Sequence, residues 1–240
     1  MVDVQLIVSN LSKWYGRKNV LNGISFHARS GDCVLVVGPN GSGKTTLVMC
    51  LLGLVERSAG EIKFIVNGIS YTPEEALPFV GAVLEACEPY EELTAYENLT
   101  LFASLKLLQH RHVAENGFTI ASKLKRGCSL NKGSLDELME KFQLAHYADQ
   151  PVSSLSSGIR QRLKLAIACV ANPLFLMLDE PTVNLDSSGR KLLACAVKEV
   201  RGNGGIVVWT TCDEGEVEDA TFLINLGEAD MHLAHKGIES

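Results

Sequence analysis

Apolar runs separated by Gly, Asn or Asp recur through the first part of the chain. They are rich in β-branched and aromatic residues, a composition typical of β-strands. The pattern predicts strands at 4–9, 24–28, 33–38 and 61–68. The segment that begins at Lys44 is apolar and has no chain-breaking residue before Gly53, which predicts a buried helix.

Strand and helix signals alternate again in the last third of the chain. Residues 174–179, LFLMLD, form a continuous apolar run, as expected of a strand that is buried on both faces. The signals that follow predict a helix at about 187–201, a strand at 205–211, another short helix and a strand at 221–226. This alternation indicates an α/β fold with a parallel sheet.

The middle of the chain has a different pattern. Helix-forming residues recur at 95–110 and again at 134–148. Between them, residues 115–133 are basic and rich in Gly and Ser, which indicates a surface loop or an inserted hairpin. For the basic cluster at 123–126 we favour a solvated loop, with a contact to lipid head groups or a partner as the alternative. We therefore expect a helical insertion in the α/β core.

Composition narrows the classes of partner. The chain has 240 residues and a formal net charge of −6, so no domain-wide basic field would attract nucleic acid, and we expect no nucleic-acid partner. No uninterrupted apolar run approaches the roughly 20 residues that a membrane-spanning helix needs. The N-terminus lacks the basic and apolar regions of a signal peptide. We expect that the chain does not cross a membrane by itself.

The cysteine pattern indicates neither a disulfide framework nor a metal site. The count is odd, and no pair has metal-ligand or C-x-x-C spacing. Reduced thiols, mostly buried, are the expected state. The seven residues are Cys33, Cys50, Cys87, Cys128, Cys169, Cys195 and Cys212.

The segment GPNGSGKTT, residues 38–46, matches G-x-x-x-x-G-K-[ST] between a predicted strand and a predicted helix. That setting is required of a phosphate-binding loop. Its glycines allow backbone N–H groups to approach phosphate oxygens, and the helix start adds a positive dipole end. Lys44 is predicted to reach the β- and γ-phosphates, and the Thr45 hydroxyl to bind Mg²⁺. The predicted nucleotide contacts are Gly38, Asn40, Gly41, Ser42, Gly43, Lys44, Thr45 and Thr46.

A triphosphate site also needs carboxylates at the end of a second strand. LFLMLDEPT supplies two in succession, Asp179 and Glu180. Asp179 ends the strand and is predicted to hold the Mg²⁺ shell. Glu180 follows it and is predicted to polarise a water for in-line attack on the γ-phosphate.

These motifs, with four further segments, resemble the ATP-binding cassettes of ABC transporters. The further segments are YGRKNVLNGISFHARSGD, SSLSSGIRQRLKLAIA, VNLDSS and VLEACEPYEELTAYENL, and the resemblance covers about residues 11–226. It implies a P-loop NTPase (RecA-like) α/β core with a mostly parallel sheet, an N-terminal antiparallel β-subdomain and an inserted α-helical subdomain. Residues 1–240 would form one cassette, with its core at 1–88 and 156–240 and its helical subdomain at 89–155. ATP and Mg²⁺ are the implied cofactors.

The resemblance also implies individual contacts to nucleotide. The start of the cassette, YGRKNVLNGISFHARSGD, would place Tyr15 against the adenine ring, and Trp14 is the competing candidate. Ser156 and the amide of Gly158, in the signature motif, would face the γ-phosphate held by the opposite subunit, at a helix N-terminus. Asp186, in the D-loop, would reach across the dimer.

The sequence departs from the family pattern at four positions. The usual L-S-G-G-Q signature is LSSGI here, with Ser157 and Ile159 in place of Gly and Gln. Glu85 falls where the family usually has a glutamine near the metal. Cys212 occupies the position of the switch histidine, and a thiol is a weak hydrogen-bond donor. Either hydrolysis is slow, or Asp213 or a water takes that role.

The implied function is that of an ATPase subunit of a membrane transporter, with Glu180, Lys44 and Cys212 as its catalytic residues. Its partners would be transmembrane permease subunits on separate chains and a second ATP-binding subunit, identical or different. It would lie at the cytoplasmic face of a membrane. An exporter is favoured, and the haem exporters of cytochrome c maturation and related export cassettes are the most similar types. The alternatives are a soluble ABC ATPase that acts on ribosomes or DNA, and a regulatory module that no longer hydrolyses ATP.

Overall fold

The computed structural model describes residues 2–115, 132–216, 220–227 and 233–235. The chain divides into two compact units. The first comprises Met1–Leu77, Leu174–Glu180 and Glu199–Ser240, and the second comprises Pro78–Pro173 and Pro181–Lys198. The predicted helical subdomain, residues 89–155, falls within the second unit, while its boundaries stay a prediction. The basic cluster at 123–126 and Cys128 lie outside the described residues.

The predicted strands are present in the described residues, and so are the predicted helices except the short one after residue 211, where the described residues form a 3₁₀ turn at Glu214–Glu216. The elements at Ile69–Tyr71, Pro73–Ala76, Val80–Val83 and Leu233–His235 were not predicted. The strands are β1 (Val4–Tyr15), β2 (Lys18–Arg29), β3 (Cys33–Val37), β4 (Ala59–Val66), β5 (Ile69–Tyr71), β6 (Val80–Val83), β7 (Phe175–Asp179), β8 (Ile206–Thr211), β9 (Phe222–Asn225) and β10 (Leu233–His235). The α-helices are α1 (Lys44–Leu51), α2 (Pro73–Ala76), α3 (Ala95–Glu115), α4 (Lys132–Lys141), α5 (Ser157–Cys169) and α6 (Ser187–Gly202).

An antiparallel sheet in the first unit has the strand order β2-β1-β4-β5. Side chains of β1 alternate between buried and partly exposed, so one face of the strand packs into the core. The first two strands extend beyond the predicted 4–9 and 24–28, because they continue through polar residues to a tight hairpin. Tyr15 pairs with Lys18 there, and Gly16 takes a positive φ of 59° in the turn.

The larger, mostly parallel sheet contributes five strands to the first unit, in the order β10-β9-β3-β8-β7, and β10 is antiparallel to β9. Strands β3, β7 and β8 run parallel and are buried along their whole length, which accounts for their continuous apolar sequences. The two sheets confirm the predicted α/β fold class with an antiparallel N-terminal sheet. Because the carboxyl ends of parallel strands lie at one edge, the segments that follow β3, β7 and β8 meet there.

In the second unit, a capping box fixes the start of α3. The Thr94 hydroxyl accepts from the Glu97 N–H at 3.1 Å, and the Glu97 carboxylate accepts from the Thr94 N–H at 2.8 Å. The helix predicted at 134–148 ends earlier, at Lys141, and a short 3₁₀ turn follows at Ala145–Tyr147. Gln143 has a φ of 56°, which an α-helix cannot accommodate, and this residue separates the two segments.

None of the described cysteines forms a disulfide. Cys33, Cys50 and Cys169 are buried, whereas Cys87, Cys195 and Cys212 are exposed, so half of the six described thiols depart from the expected burial. Within the described ranges, no helix has both the length and the apolar character needed to cross a bilayer.

A half-buried ammonium in α3, that of Lys106, makes the stability of the second unit depend on pH. Burial lowers the pKa of Lys106 to about 8, and its Nζ donates to the carbonyl of Val80 at 2.7 Å. An unfolded lysine titrates near pH 10.4. Between these two values the folded chain binds fewer protons than the unfolded chain, so this group raises stability as pH rises from about 8 to about 10.4.

We expect Lys106→Met to flatten that rise relative to the parent chain. The measurement is urea denaturation at pH 8 and pH 10. Lys198→Met is the control, since Lys198 is exposed in the same unit. An equal pH dependence in the parent and in Lys106→Met would contradict the assignment.

Candidate functional site

The segment between β3 and α1 is a loop in which two glycines adopt backbone conformations that side chains disfavour. Gly41 and Gly43 have positive φ values of 80° and 105°. A Cβ on Gly43 would lie 2.9 Å from both Cγ1 and the carbonyl oxygen of Val20, and a Cβ on Gly38 would lie 2.6 Å from the hydroxyl of Ser42. A side chain at Gly43 would therefore displace the loop, and one at Gly38 would require the Ser42 side chain to move.

The start of α1 is electrostatically open to an anion. Gly43 is the N-cap residue and offers no side-chain acceptor, and the first turn contains no acidic residue. The helix N–H groups and the positive end of its dipole are thus not neutralised by a carboxylate within the helix. Thr45 and Thr46 follow in the first turn and are half-buried. This is the electrostatic arrangement that binds phosphate at a helix N-terminus.

Lys44 is folded back over this loop. Its side chain is only 5% exposed, and Nζ donates to the carbonyls of Gly38 at 2.7 Å and Pro39 at 3.2 Å. The same Nζ lies 3.2 Å from a carboxylate oxygen of Glu180 and 3.2 Å from the thiol sulfur of Cys212. Burial lowers the pKa of Lys44, but its hydrogen bonds with Cys212 and Glu180 outweigh burial, and the net pKa is raised. The ammonium form is therefore retained.

Cys212 follows β8 directly and lies among the polar groups of the loop. Its Sγ is 3.2 Å from Oδ1 of Asn40 and 3.2 Å from Oε1 of Glu180, in addition to its contact with Lys44. A thiol carries one proton, so it can donate to only one of the two oxygens at a time. The structure thus brings together four residues that the sequence predicted separately: Asn40, Lys44, Glu180 and Cys212.

Asp179 and Glu180 end β7 in two different environments. Asp179 is 1% exposed, and its Oδ1 accepts a hydrogen bond from the Thr210 hydroxyl at 2.6 Å. Glu180 has a positive φ of 46°, and its side chain remains 19% exposed beside Lys44. The turn at Glu180 thus separates a buried carboxylate from an accessible one. Sequence reasoning missed Thr210, and the one available signal was a threonine at the end of the neighbouring strand.

The donor set fits a hard divalent cation that also binds phosphate. The second oxygen of Asp179 is buried and has no hydrogen-bond partner among the described residues, and the same holds for the hydroxyl of Ser42. Mg²⁺ is held by one or two carboxylates together with substrate phosphates and waters. The Asp179 carboxylate matches that requirement, and a metal contact of the Thr45 hydroxyl stays a prediction. The described ranges contain no cluster of three or more His, Cys, Asp or Glu that would form an all-protein metal cage.

The aromatic candidates for the base lie at the end of β1. Tyr15 is 49% exposed and Trp14 is 42% exposed, so both rings are accessible. The ammonium of Lys13 lies 4.9 Å from the centroid of the Tyr15 ring, over one face. Neighbouring side chains on a strand point to opposite faces. The choice between the two rings therefore stays open.

The signature motif forms the N-terminus of α5 in the second unit. Ser156 is the N-cap residue, and its hydroxyl accepts from the N–H of Ile159 at 3.4 Å. A Cβ on Gly158 would lie 3.0 Å from the carbonyl oxygen of Asn184, which favours glycine at this position. Ser156 and Ser157 are exposed, and the first turn has no acidic residue. The helix start is thus a second site suited to an anion.

Asp186 is held within its own unit. Its carboxylate accepts from the backbone N–H of Gly189 at 2.7 Å and from Arg162 at 2.8 and 3.1 Å. The Gly189 N–H and the Arg162 guanidinium keep the pKa of Asp186 below its usual value. Arg162 also donates to Gln143 at 2.9 Å. Sequence reasoning missed this role of Arg162, and contact of Asp186 across a dimer stays a prediction.

Glu85 lies in the second unit, shortly after β6. Its side chain is exposed, and its backbone carbonyl accepts from Nζ of Lys164 at 3.4 Å. Lys164 also forms an ion pair with Glu88. A role of Glu85 at the metal stays a prediction.

Comparisons with known proteins agree with these features. The ABC transporter family profile matches residues 21–183. The chain is 32% identical over 245 residues to the uncharacterized ABC transporter ATP-binding protein YdbJ of Bacillus subtilis (strain 168), covering 100% of this chain and 72% of YdbJ. It is 32% identical over 209 residues to the Nod factor export ATP-binding protein I of Sinorhizobium fredii, covering 87% of this chain and 56% of that protein.

A solved structure of an ATP-binding subunit of an ABC transporter shares the fold. The TM-score is 0.74 at 24% identity, covering 96% of this chain and 90% of that chain. The haem-exporter type stays a prediction. The family profile, the relatives and the phosphate loop agree, and the chain belongs to the ABC transporter family as an ATP-binding cassette.

Proposed function

We propose that this chain hydrolyses ATP as one of a pair of cassettes and thereby powers export through membrane subunits on separate chains. The observation that carries the proposal is the cluster at the end of β3, β7 and β8. There the Lys44 ammonium lies 3.2 Å from the Glu180 carboxylate and directly over the loop carbonyls. An ammonium, an accessible carboxylate and an open helix start are the groups that bind a triphosphate and activate water beside it.

Binding begins at the loop. The N–H groups at the start of α1 and the Lys44 ammonium contact the β- and γ-phosphates, which replace Glu180 as the negative partner of Lys44. The N–H groups need no side-chain movement to do so, since no residue of the helix caps them. Tyr15 or Trp14 stacks on the adenine ring.

Mg²⁺ fits the donor set, with the Thr45 hydroxyl and the unpartnered oxygen of Asp179 as the groups that would hold it. When bound, Mg²⁺ would supply positive charge that stabilises the negative charge on the β- and γ-phosphates. Asp179 is nearly fully buried, so its carboxylate is fixed in orientation before nucleotide arrives. Glu85 is a further candidate for the metal shell.

Glu180 acts as the general base for hydrolysis. The Glu180 carboxylate takes a proton from a water as the water oxygen bonds to the γ-phosphorus, the bond to the β-phosphate oxygen breaks, and ADP and inorganic phosphate leave. The turn at Glu180, directly after Asp179, supports a different role for each carboxylate. The buried Asp179 carboxylate would hold Mg²⁺, and the accessible Glu180 carboxylate would activate the water.

A second cassette, identical or different, completes each site. The N-terminus of α5 is exposed at Ser156, and it lacks a carboxylate in its first turn. Ser156 and Gly158 of one copy would contact the γ-phosphate held by the loop of the other copy. The Asp186 carboxylate would take part once its contacts with Arg162 and Gly189 rearrange.

The direction of transport is supported by one named relative. The Sinorhizobium fredii protein is a Nod factor export ATP-binding protein, and it is 32% identical to this chain. We therefore propose export, with the pair of cassettes bound to permease subunits at the cytoplasmic face of a membrane. The test is affinity purification of the tagged chain from detergent-solubilised membranes. Recovery of a membrane-spanning chain with ATPase activity supports the proposal, and recovery only from the soluble fraction, on ribosomes or DNA, would refute it.

A regulatory cassette that binds ATP without hydrolysing it is the second candidate. The position of Cys212 favours it, because the thiol lies among Asn40, Lys44 and Glu180 where a stronger hydrogen-bond donor would assist phosphate. MgATP binding without phosphate release in the purified complex would select this candidate over the first.

Histidine at position 212 is expected to speed hydrolysis. A hydrogen bond to a charged oxygen is worth about 1.5–3 kcal/mol. If Cys212→His makes that bond in the transition state, turnover rises by about tenfold or more. Phosphate release at saturating MgATP measures the effect, with Cys195→His as a control because Cys195 is also exposed. Equal turnover in the parent and in Cys212→His would mean that another group already supplies the contact.

A further inference from the structure

Thr210 is the one residue in the described ranges whose side chain binds Asp179. It is completely buried in β8, and its register partner across the parallel pair is Asp179 at the end of β7. The distance of 2.6 Å between the Thr210 hydroxyl and Oδ1 of Asp179 is that of a short, charge-assisted hydrogen bond. The bond fixes the rotation of a buried carboxylate.

Thr210 also binds the backbone of Glu180, the residue that follows Asp179. The N–H of Glu180 donates to the Thr210 carbonyl at 3.1 Å and lies 3.3 Å from the Thr210 hydroxyl oxygen. Glu180 has a positive φ of 46°, a region that is unfavourable for residues with a side chain. These bonds stabilise the turn that directs the Glu180 carboxylate toward Lys44.

A hydroxyl can donate one hydrogen bond and accept others, which explains how the Thr210 side chain contacts both the Asp179 carboxylate and the Glu180 backbone N–H. The Thr210 hydroxyl donates its one hydrogen bond to Asp179, and a lone pair on its oxygen accepts from the N–H of Glu180. Because Oδ1 of Asp179 is engaged, the second oxygen is left as its open acceptor, without a partner in the described residues. Valine has nearly the same shape as threonine but would leave Oδ1 buried without a donor.

We propose that Thr210 is the positioning residue of this site, which sets Mg²⁺-dependent nucleotide binding through Asp179 and water activation through the turn at Glu180. The inference rests on the proposed function. It extends that function because it assigns the Mg²⁺ dependence of nucleotide binding to Thr210, a residue that would contact neither the metal nor the nucleotide. If Thr210 only stabilised the fold, its substitution would change the melting temperature of the chain and leave the response to Mg²⁺ unchanged.

The test compares thermal stabilisation by ATP with Mg²⁺ and by ATP with EDTA. We expect Thr210→Val to keep the shift in ATP with EDTA, because the loop and Lys44 are unchanged. The Mg²⁺ concentration that gives half of the additional shift is expected to rise on the order of tenfold. Thr210→Ser retains the hydroxyl and is expected to behave like the parent. Thr210→Cys retains a weak donor and is expected to fall between them, so it decides the matter if Thr210→Val does not fold.

Thr211→Val is the matched control. Thr211 is the next residue of β8, is equally buried, and its hydroxyl donates to Glu216 at 2.8 Å rather than to Asp179. We expect a lower melting temperature and an unchanged Mg²⁺ response. In an Asp179→Asn background, Thr210→Val should add no further loss of the Mg²⁺ response, because both act at one group.

The outcomes separate this inference from the proposed function. Parent chain that is not stabilised by ATP in any buffer would refute the proposed function itself. Parent chain that responds to Mg²⁺, with Thr210→Val or Thr210→Cys responding at the same Mg²⁺ concentration, would refute only the role of Thr210. Equal loss in Thr211→Val would show that any buried hydroxyl of β8 has the same effect, and would also refute it.

Discussion

Lys44→Ala is expected to abolish measurable ATP turnover and to weaken MgATP binding. Each charge-assisted hydrogen bond to phosphate is worth about 1.5–3 kcal/mol, so the loss of one contact lowers affinity by about ten- to a hundredfold. The change also removes the positive partner of Glu180 and the donor to the loop carbonyls of Gly38 and Pro39. Nucleotide titration by calorimetry and steady-state phosphate release measure the two effects.

Lys63→Ala is the control for the loss of a positive charge in the first unit. Lys63 is 44% exposed and forms a surface ion pair with Glu61, a type of contact that contributes little to stability. We expect binding and turnover like those of the parent. Parental turnover in Lys44→Ala itself would refute the assignment of the phosphate loop.

The loop could be predicted from the sequence because its chemistry depends on local spacing. Three glycines and a lysine at fixed separations, after an apolar strand, leave few alternatives, and the structure adds the reason for each glycine. Gly43 lies too close to Val20 for any side chain, and Gly41 needs its positive φ. The N-cap of α5 could also be predicted from local sequence, because Ser156 directly precedes a helix-forming segment.

The contacts around Lys44 could not be predicted in this way, since they depend on strand order. Glu180 and Cys212 reach Lys44 because β8 lies between β3 and β7 in the sheet, an arrangement of residues far apart in sequence. The contact of Thr210 with Asp179 could not be predicted from local sequence either, because it depends on their being register partners across the β7–β8 pair. A shift of that register by one residue would turn the Thr210 side chain to the other face.

The ends of elements were the least predictable local feature. The first strand continues through Lys13, Trp14 and Tyr15 into a hairpin, although these residues break the apolar alternation. Pairing with the neighbouring strand, rather than burial, determines where such a strand ends. The helix predicted at 134–148 ends early because Gln143 adopts a left-handed φ, which no periodicity indicates.

Glu180→Gln is expected to stop the cycle after ATP has bound. Glutamine has nearly the shape of glutamate but cannot take a proton from water, and a general base contributes about 10²–10⁴-fold to a rate. We therefore expect turnover to fall by at least about a hundredfold, while the phosphate loop still binds MgATP. Phosphate release measures the first effect and calorimetry the second.

The same variant is expected to accumulate as a closed pair of chains. Glu180 is the negative partner of Lys44, so its neutralisation leaves the ammonium more available to phosphate. ATP that binds but is not hydrolysed would hold the loop of one copy against Ser156 and Gly158 of the other. Size-exclusion chromatography with MgATP should show the pair in Glu180→Gln, and not in Lys44→Ala, where the phosphate contact is lost.

Glu61→Gln is the matched control, since Glu61 pairs with Lys63 on the surface of the same unit and is 54% exposed. It removes one carboxylate of the first unit and should leave both turnover and elution unchanged. A Glu180→Gln chain that elutes as a monomer in MgATP and hydrolyses ATP at the parental rate would exclude Glu180 as the base. Asp213, exposed directly after Cys212, would then be the next carboxylate to test.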